Sequence, residues 1–477
     1  MLRELIKNTG IYFLTNLLSQ VAVFIFWIVA ANILDPSEIG VYALVIFVTT
    51  FFAAFATFGL DNSIDRFYYS DEKTEEVFCN ALIIFFFSAI ISMIVLFLSS
   101  GFIARVIPNI HIILSKNIVS LYFLVITSSL YNLALVHYSA LRRATSYAKI
   151  SLSQTLIFFI LSLLFLFLNF KILGVFYALI ISYFFPASIF LLKEIRISRL
   201  PGIFSVRIIK SMINYGLPMM LYSVLGVVVV YIGRIFLDKY TTLSILGVYS
   251  FFLTITMQVN ALWGTFNRAW TPKVFSMLKE DKKNALMQIK TIAFLSSFFY
   301  LLFFATFIIL VKIGVLSLFL KPVYLSNVGI LYILLAGPLF TGVYTAVFPL
   351  FYYQKNTRPI LLVSVALNIV NIIITFFMVR AFGETGAALS YFFSSIISLL
   401  FYLVVFTKIM DIPAEIIKWF VIFACLMLFG TALFLMTSSD ILLLLFIVFG
   451  MFISYRMGEL DKKKYLLNKN LFYGEKN

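Results

Sequence analysis

Arg66, Arg234 and Arg268 are cations set in or beside long apolar runs. A guanidinium presents a planar fork of donors that matches two oxygens of a phosphate. Buried among helices at membrane depth, it needs an anionic partner. Asp61, Asn62, Gln258, Asn260 and Asn371 lie near these arginines in sequence or at comparable depth, and all can hydrogen-bond. Together the eight residues read as a cavity that binds a diphosphate. Taken singly, each arginine also fits a snorkelling or topological role, which is the commoner one. Asn16, Asn132 and Asn368 are further mid-span amides, of the kind that usually bond between helices. His137 reads as a hydrogen-bonded residue near the membrane surface rather than a proton relay.

Other chemistries are poorly provided for. His111, His137, Cys79 and Cys425 are the whole supply of histidine and cysteine. They give no disulfide framework and no metal-ligand spacing. No phosphate-binding glycine loop appears, and no pair of carboxylates shares a helix face inside an apolar run. The sequence therefore predicts no catalytic residue, no metal, no cofactor and no enzyme activity.

The elements that hold these residues follow from composition. Hydrophobic residues make up 63% and charged residues 12%, against roughly half and a quarter in soluble domains. Such a chain cannot cover its surface with polar groups, so lipid must cover part of it. A net charge of +16 would suit nucleic acid on a soluble protein. Here the charges sit in short gaps between apolar runs, and no nucleic-acid partner is expected. A helix needs about 20 apolar residues to cross the bilayer core. Fourteen spans meet or approach that length: 9–33, 38–60, 78–101, 117–138, 150–169, 172–192, 212–233, 243–266, 290–311, 327–353, 359–379, 384–407, 414–436 and 440–455. The first is too long for a signal peptide and is expected to stay as a helix. With both termini on one side, 28 of the 36 lysines and arginines fall on that side and 8 on the other. The positive-inside rule then makes both termini cytoplasmic.

An internal repeat organises the spans. Leu34-Asp35 and Gly40-Val41-Tyr42 reappear as Leu237-Asp238 and Gly247-Val248-Tyr249, with the glycines 207 residues apart. Ser182-Tyr183-Phe184-Phe185 reappears as Ser390-Tyr391-Phe392-Phe393, at an offset of 208. Six spans separate the copies, so the repeats run parallel, with a binding site expected between two six-helix bundles that rock against each other. The expected division is an N-terminal lobe at 1–200, a second lobe at 201–410, two further helices at 411–456 and a basic cytoplasmic tail at 457–477. Pro218 and Pro338, inside apolar runs, are candidate hinges.

Several segments carry a family likeness. They are Asn32-Ile33-Leu34-Asp35-Pro36-Ser37-Glu38-Ile39-Gly40-Val41-Tyr42, then Phe58-Gly59-Leu60-Asp61, then Tyr215-Gly216-Leu217-Pro218 and Gly233-Arg234, then Asn356-Thr357-Arg358-Pro359 and Gly383-Glu384-Thr385-Gly386. In order and spacing the chain resembles the polysaccharide-biosynthesis (O-antigen) flippases of the multidrug/oligosaccharidyl-lipid/polysaccharide (MOP) exporter superfamily. The resemblance implies a V-shaped, MATE-like all-α membrane protein in the bacterial cytoplasmic membrane. It implies translocation of a polyprenyl-diphosphate-linked oligosaccharide by alternating access, in membrane lipid, with a polysaccharide polymerase and a chain-length protein as candidate partners. The family often has Asp before the arginine of the seventh span, and here that residue is Gly233. A cation-coupled drug exporter and a peptidoglycan-precursor flippase are the alternatives on the same fold. The first would want an acidic residue in mid-span, and the sequence has none there. A polymerase would want a large outer loop, which is also absent.

Overall fold

The computed structural model describes residues 2–68, 73–198, 204–280, 282–347 and 358–410, together with Pro349 and Val448. These residues form helices and short connections, with no strand among them. The helices are α1 (Leu2–Ile33), α2 (Pro36–Thr57), α3 (Leu60–Phe67), α4 (Thr74–Val106), α5 (His111–Ala140), α6 (Ala144–Phe167), α7 (Lys171–Ser198), α8 (Val206–Tyr240), α9 (Leu243–Glu280), α10 (Lys282–Lys312), α11 (Pro322–Leu325), α12 (Val328–Val347) and α13 (Arg358–Met410). Pro108–Ile110 and Val315–Leu318 are short 3₁₀ turns.

Among the described residues, nine helices are long and apolar enough to cross a membrane. Phe299–Lys312 and Val328–Gly342 are shorter apolar helices. The first twelve expected spans all fall on these elements, and the eleventh and twelfth share α13. Spans 414–436 and 440–455, and the basic tail, lie outside the described residues. Nothing but helix satisfies the backbone in lipid without closing a barrel. The outward faces are as apolar as lipid requires: Phe97, Leu98 and Phe102 of α4 are 64%, 75% and 69% exposed. The protein is a multi-pass membrane protein.

One helix interruption differs from the expected spans, and another falls in the gap expected between the eleventh and twelfth. The second span is broken after Thr57, where Phe58 (φ 50°) and Gly59 (φ 67°) both take the left-handed conformation. The chain then restarts as α3, which carries Asp61, Asn62 and Arg66. Glycine takes that conformation freely and phenylalanine does not. In α13 the turn comes at Gly383 (φ 57°). A β-carbon on Gly386 would collide with the Met378 carbonyl.

The chain divides into two compact units. The first comprises residues 1–251 and 372–387. Within it α2 packs against α4, α5 and α8, while α1, α5 and α7 enclose the opposite side with α6. Small hydroxyls join the helices: Ser88 and Ser92 of α4 donate to the carbonyls of Ala56 and Phe52 at 2.6 and 2.8 Å. Thr155 of α6 donates to Ser19 of α1 at 2.9 Å. Such bonds serve where lipid removes any hydrophobic drive between helices. Asn109 grips Asp238 of α8 twice, through its backbone N–H (3.2 Å) and its amide Nδ2 (2.8 Å). The second unit comprises residues 252–371 and 388–477. Within it α10 packs on α12, and Phe340 of α12 meets Phe392 of α13 edge to face at 5.7 Å.

Candidate functional site

The two repeat-related glycines meet in the first unit. Gly40 opens α2 and Gly247 opens α9, and a β-carbon on Gly247 would lie 3.1 Å from the Gly40 nitrogen. It would also collide with the Pro36 carbonyl, while a β-carbon on Gly40 would stand 2.5 Å from the Leu243 carbonyl. The main chains touch there, and only glycine fits. A second close approach joins Gly59 to Gly216 of α8: a β-carbon on Gly216 would lie 2.6 Å from the Phe58 carbonyl.

α8 carries Arg234, 4% exposed. The guanidinium lies over the Tyr231 ring, 4.7 Å from its centroid. Its charge also acts on the hydroxyls of Tyr42 and Tyr249, the tyrosines that follow the two touching glycines. Tyr183 of α7 is coupled electrostatically to both Tyr42 and Tyr231, and Tyr131 of α5 lies against Tyr183, with centroids 5.1 Å apart. Arg234 is thus ringed by phenols. No carboxylate pairs with it among the described residues, and its Nε is buried without a hydrogen-bond partner. Burying a guanidinium at a helix centre costs about 2.5–3.5 kcal/mol even on lenient insertion scales. One cation–π contact returns about 1–2 kcal/mol. The remaining deficit is one that an anion with several oxygens would fill.

Gly233 is explained by the same packing. A β-carbon there would stand 3.0 Å from the Tyr249 hydroxyl. Tyr249 occupies the space that a side chain at 233 would need.

The other expected residues are dispersed. Arg66, at the exposed end of α3, lies over the Tyr215 ring at 4.5 Å. Asn62 is exposed, while Asp61 has a buried Oδ1 with no hydrogen-bond partner. In the second unit Gln258 is half-buried and Asn371 buried. Asn260 donates to the Tyr391 hydroxyl at 3.0 Å. Arg268 lies in α9, but its side chain is not among those described. Asn16 and Asn368 bond carbonyls four residues back in their own helices, at 3.0 and 2.7 Å, rather than a neighbouring helix. Pro218 and Pro338 lie inside α8 and α12. Pro338 follows Gly337, where a β-carbon would stand 2.7 Å from the Tyr391 ring.

Residues 29–321, more than half of the chain, match the family described as polysaccharide biosynthesis protein. The chain belongs to that family. No curated protein matches the chain in sequence. Solved structures match its fold. One is the lipid II flippase MurJ in an inward closed conformation, at 17% identity over 97% of this chain and 99% of that one, with a TM-score of 0.65. Another is an inward-facing multidrug resistance MATE family transporter of the MOP superfamily, at 15% identity over 85% and 96% of the two chains, with a TM-score of 0.66. A third is the Vibrio cholerae MATE transporter VcmN, at 12% identity, 85% and 97% coverage and a TM-score of 0.57. The chain has the fold of these transporters and of the flippase.

Proposed function

We propose that this protein is a flippase that moves a polyprenyl-diphosphate-linked oligosaccharide from the inner to the outer leaflet of the bacterial cytoplasmic membrane by alternating access. The observation that carries this reading is Arg234, buried among tyrosines and without a carboxylate partner among the described residues. Its guanidinium would take two oxygens of the diphosphate, and the surrounding phenols would bond the remaining phosphate oxygens or the first sugar. Arg66, Arg268, Asn62, Asp61, Gln258, Asn260 and Asn371 would line the rest of the path, with Pro218 and Pro338 as hinges between two six-helix lobes at 1–200 and 201–410. Cytoplasmic termini agree with the excess of lysine and arginine on that side.

The test is deletion and replacement. In cells lacking the protein, the lipid-linked oligosaccharide should collect in the inner leaflet. The wild-type chain should clear it, and Arg234→Glu, inserted in the membrane at equal level, should not. Clearance by Arg234→Glu would refute the reading. A pool of peptidoglycan precursor in place of the oligosaccharide would transfer the same mechanism to the substrate that MurJ is named for.

A further inference from the structure

A row of tyrosines runs through the first unit from Arg234 to the opposite end of its helices. Tyr231 carries the guanidinium on its ring face. Tyr42 of α2 and Tyr183 of α7 are coupled electrostatically to Tyr231 and to each other. Tyr183 meets Tyr131 of α5, with centroids 5.1 Å apart. Tyr131 is coupled in turn to Tyr147 of α6, and Tyr147 packs edge to face on Tyr12 of α1 at 4.9 Å. Arg234 lies within the last two turns of α8, and Tyr42 within the first two turns of α2, at the end where α2 and α9 touch. Tyr12 and Tyr147 lie at the other end, where the apolar span of α1 begins at Gly10 and α6 leaves the Arg142–Arg143 turn. Glu194 of α7 holds that end together. It accepts from the Tyr138 hydroxyl of α5 at 3.0 Å and from Nη1 of Arg143 at 3.1 Å, and stands 3.8 Å from Nε2 of His137. Tyr138 follows Tyr131 by two turns on one face of α5, and Glu194 follows Tyr183 by three turns on one face of α7, so this bond keeps Tyr131 against Tyr183.

Phenylalanine would pack as well in these places and is the commoner residue, at 56 copies against 26 tyrosines. A phenol hydroxyl taken out of water costs free energy unless it meets a polar partner. The row nevertheless uses tyrosine throughout, and Tyr12, Tyr42, Tyr131, Tyr183 and Tyr231 are only half-buried. Trp27 of α1 and Phe176 of α7 pack on Tyr42, and Phe47 of α2 packs on Tyr231. Ser151 of α6 lies beside the Tyr131 hydroxyl. Each of the four central tyrosines is thus approached from at least two other helices, so the part left uncovered faces the inside of the unit and not lipid. The inside therefore presents ring faces with hydroxyls at their edges. A sugar is the complement of such a surface. It has an apolar face of C–H groups, which lies on a ring, and a rim of hydroxyls, which must find partners when it leaves water.

We propose that this row is an extended carbohydrate site, in which the glycan lies back from Arg234 along Tyr231, Tyr42, Tyr183 and Tyr131 toward Tyr12 and Tyr147. It deepens the flippase reading and rests on it: the diphosphate sits at the one buried guanidinium described in the row, and the sugars beyond the first take the phenols further along. Tyrosine suits a glycan that must leave again. Each ring and hydroxyl holds a sugar weakly, and a row of them offers the next contact as the last is given up. Tyr131 and Tyr12 are then specificity residues, far from the phosphates and in contact with sugar alone.

Binding of two probes to the full-length protein in lipid nanodiscs tests it. One probe is bare polyprenyl diphosphate. The other is the lipid-linked oligosaccharide extracted from cells that lack the protein. Wild type should hold the sugar-bearing lipid at least on the order of tenfold tighter than the bare one. Tyr131→Phe and Tyr12→Phe should each narrow that gap by about two- to tenfold, the range of one neutral hydrogen bond. Tyr131→Leu, which removes the ring face as well, should narrow it further. All three should bind the bare lipid as wild type does, which also reports that they are folded, and Arg234→Met should weaken both probes. Equal wild-type affinity for the two lipids would overturn the carbohydrate site and leave the diphosphate reading at Arg234 standing. An unchanged gap in both phenylalanine variants would do the same. A wild type that binds neither lipid would overturn both readings.

Discussion

Gly40 and Gly247 press main chain against main chain, so that a β-carbon on Gly247 would lie 3.1 Å from the Gly40 nitrogen and inside the Pro36 carbonyl. The two residues are the matching glycines of the internal repeat. Their contact brings the first turns of α2 and α9 together and sets Tyr42 and Tyr249 within range of the same guanidinium.

Gly247→Ala must therefore push α2 from α9. Overpacking of this kind costs about 1–3 kcal/mol, and the variant should melt earlier in detergent and accumulate less in the membrane. Gly226→Ala is the control. A β-carbon on Gly226 meets nothing within 4 Å, and replacing a mid-helix glycine should add roughly 0.5–1 kcal/mol. Equal melting of the two variants would contradict the packing.

Gly233→Ala and Tyr249→Phe should be coupled. The alanine methyl meets the Tyr249 hydroxyl at 3.0 Å, but the ring carbon behind it only at 3.6 Å. Removing the hydroxyl makes room. The double variant should be more stable than the sum of the singles by about 0.5–2 kcal/mol in a thermal double-mutant cycle. Strict additivity would show that Tyr249 is not what excludes a side chain at 233.

Arg234→Met should separate stability from function. It removes a buried charge that has no carboxylate partner among the described residues, and even whole buried ion pairs are often replaced by apolar side chains with no loss or a gain of about 1–4 kcal/mol. The melting temperature should hold or rise while oligosaccharide export is lost. Arg234→Lys keeps the charge without the fork and should restore export only in part. A destabilised Arg234→Met would reveal a structural role for the guanidinium.

Asp238→Ala should destabilise the first unit. It strands the backbone N–H and the amide of Asn109, which bond the carboxylate at 3.2 and 2.8 Å. Leaving such donors unpaired costs about 1–3 kcal/mol. Asn109→Ala keeps the backbone bond and should cost less. The order of the two melting temperatures is the check.

Span length, charge alternation and the repeat made the first twelve helices legible, because lipid leaves helix as the economical way to satisfy a long apolar segment. The Phe58–Gly59 break was not legible. One of its two left-handed residues is a phenylalanine, and the apolar run continues through it. The phenols around Arg234 left a signal that was available: Tyr42 and Tyr249 complete the repeated Gly-Val-Tyr motifs. Polar-residue reasoning passed over them because tyrosine counts as apolar in a span. The sequence does place His137 among hydrogen-bonded residues, and its bond to Tyr68 agrees. Glu194 lies 57 positions further on and reads as part of a basic connection, so only the packing of α5 on α7 brings it near.

The glycine contact has a kinetic side as well. Most tight interfaces freeze side-chain rotamers, and each must be ordered again whenever the surfaces rejoin. At Gly40 and Gly247 there is no side chain to order. Such a seam, once parted, closes again without a search, and a protein that opened there on every turnover would meet the same fit each time.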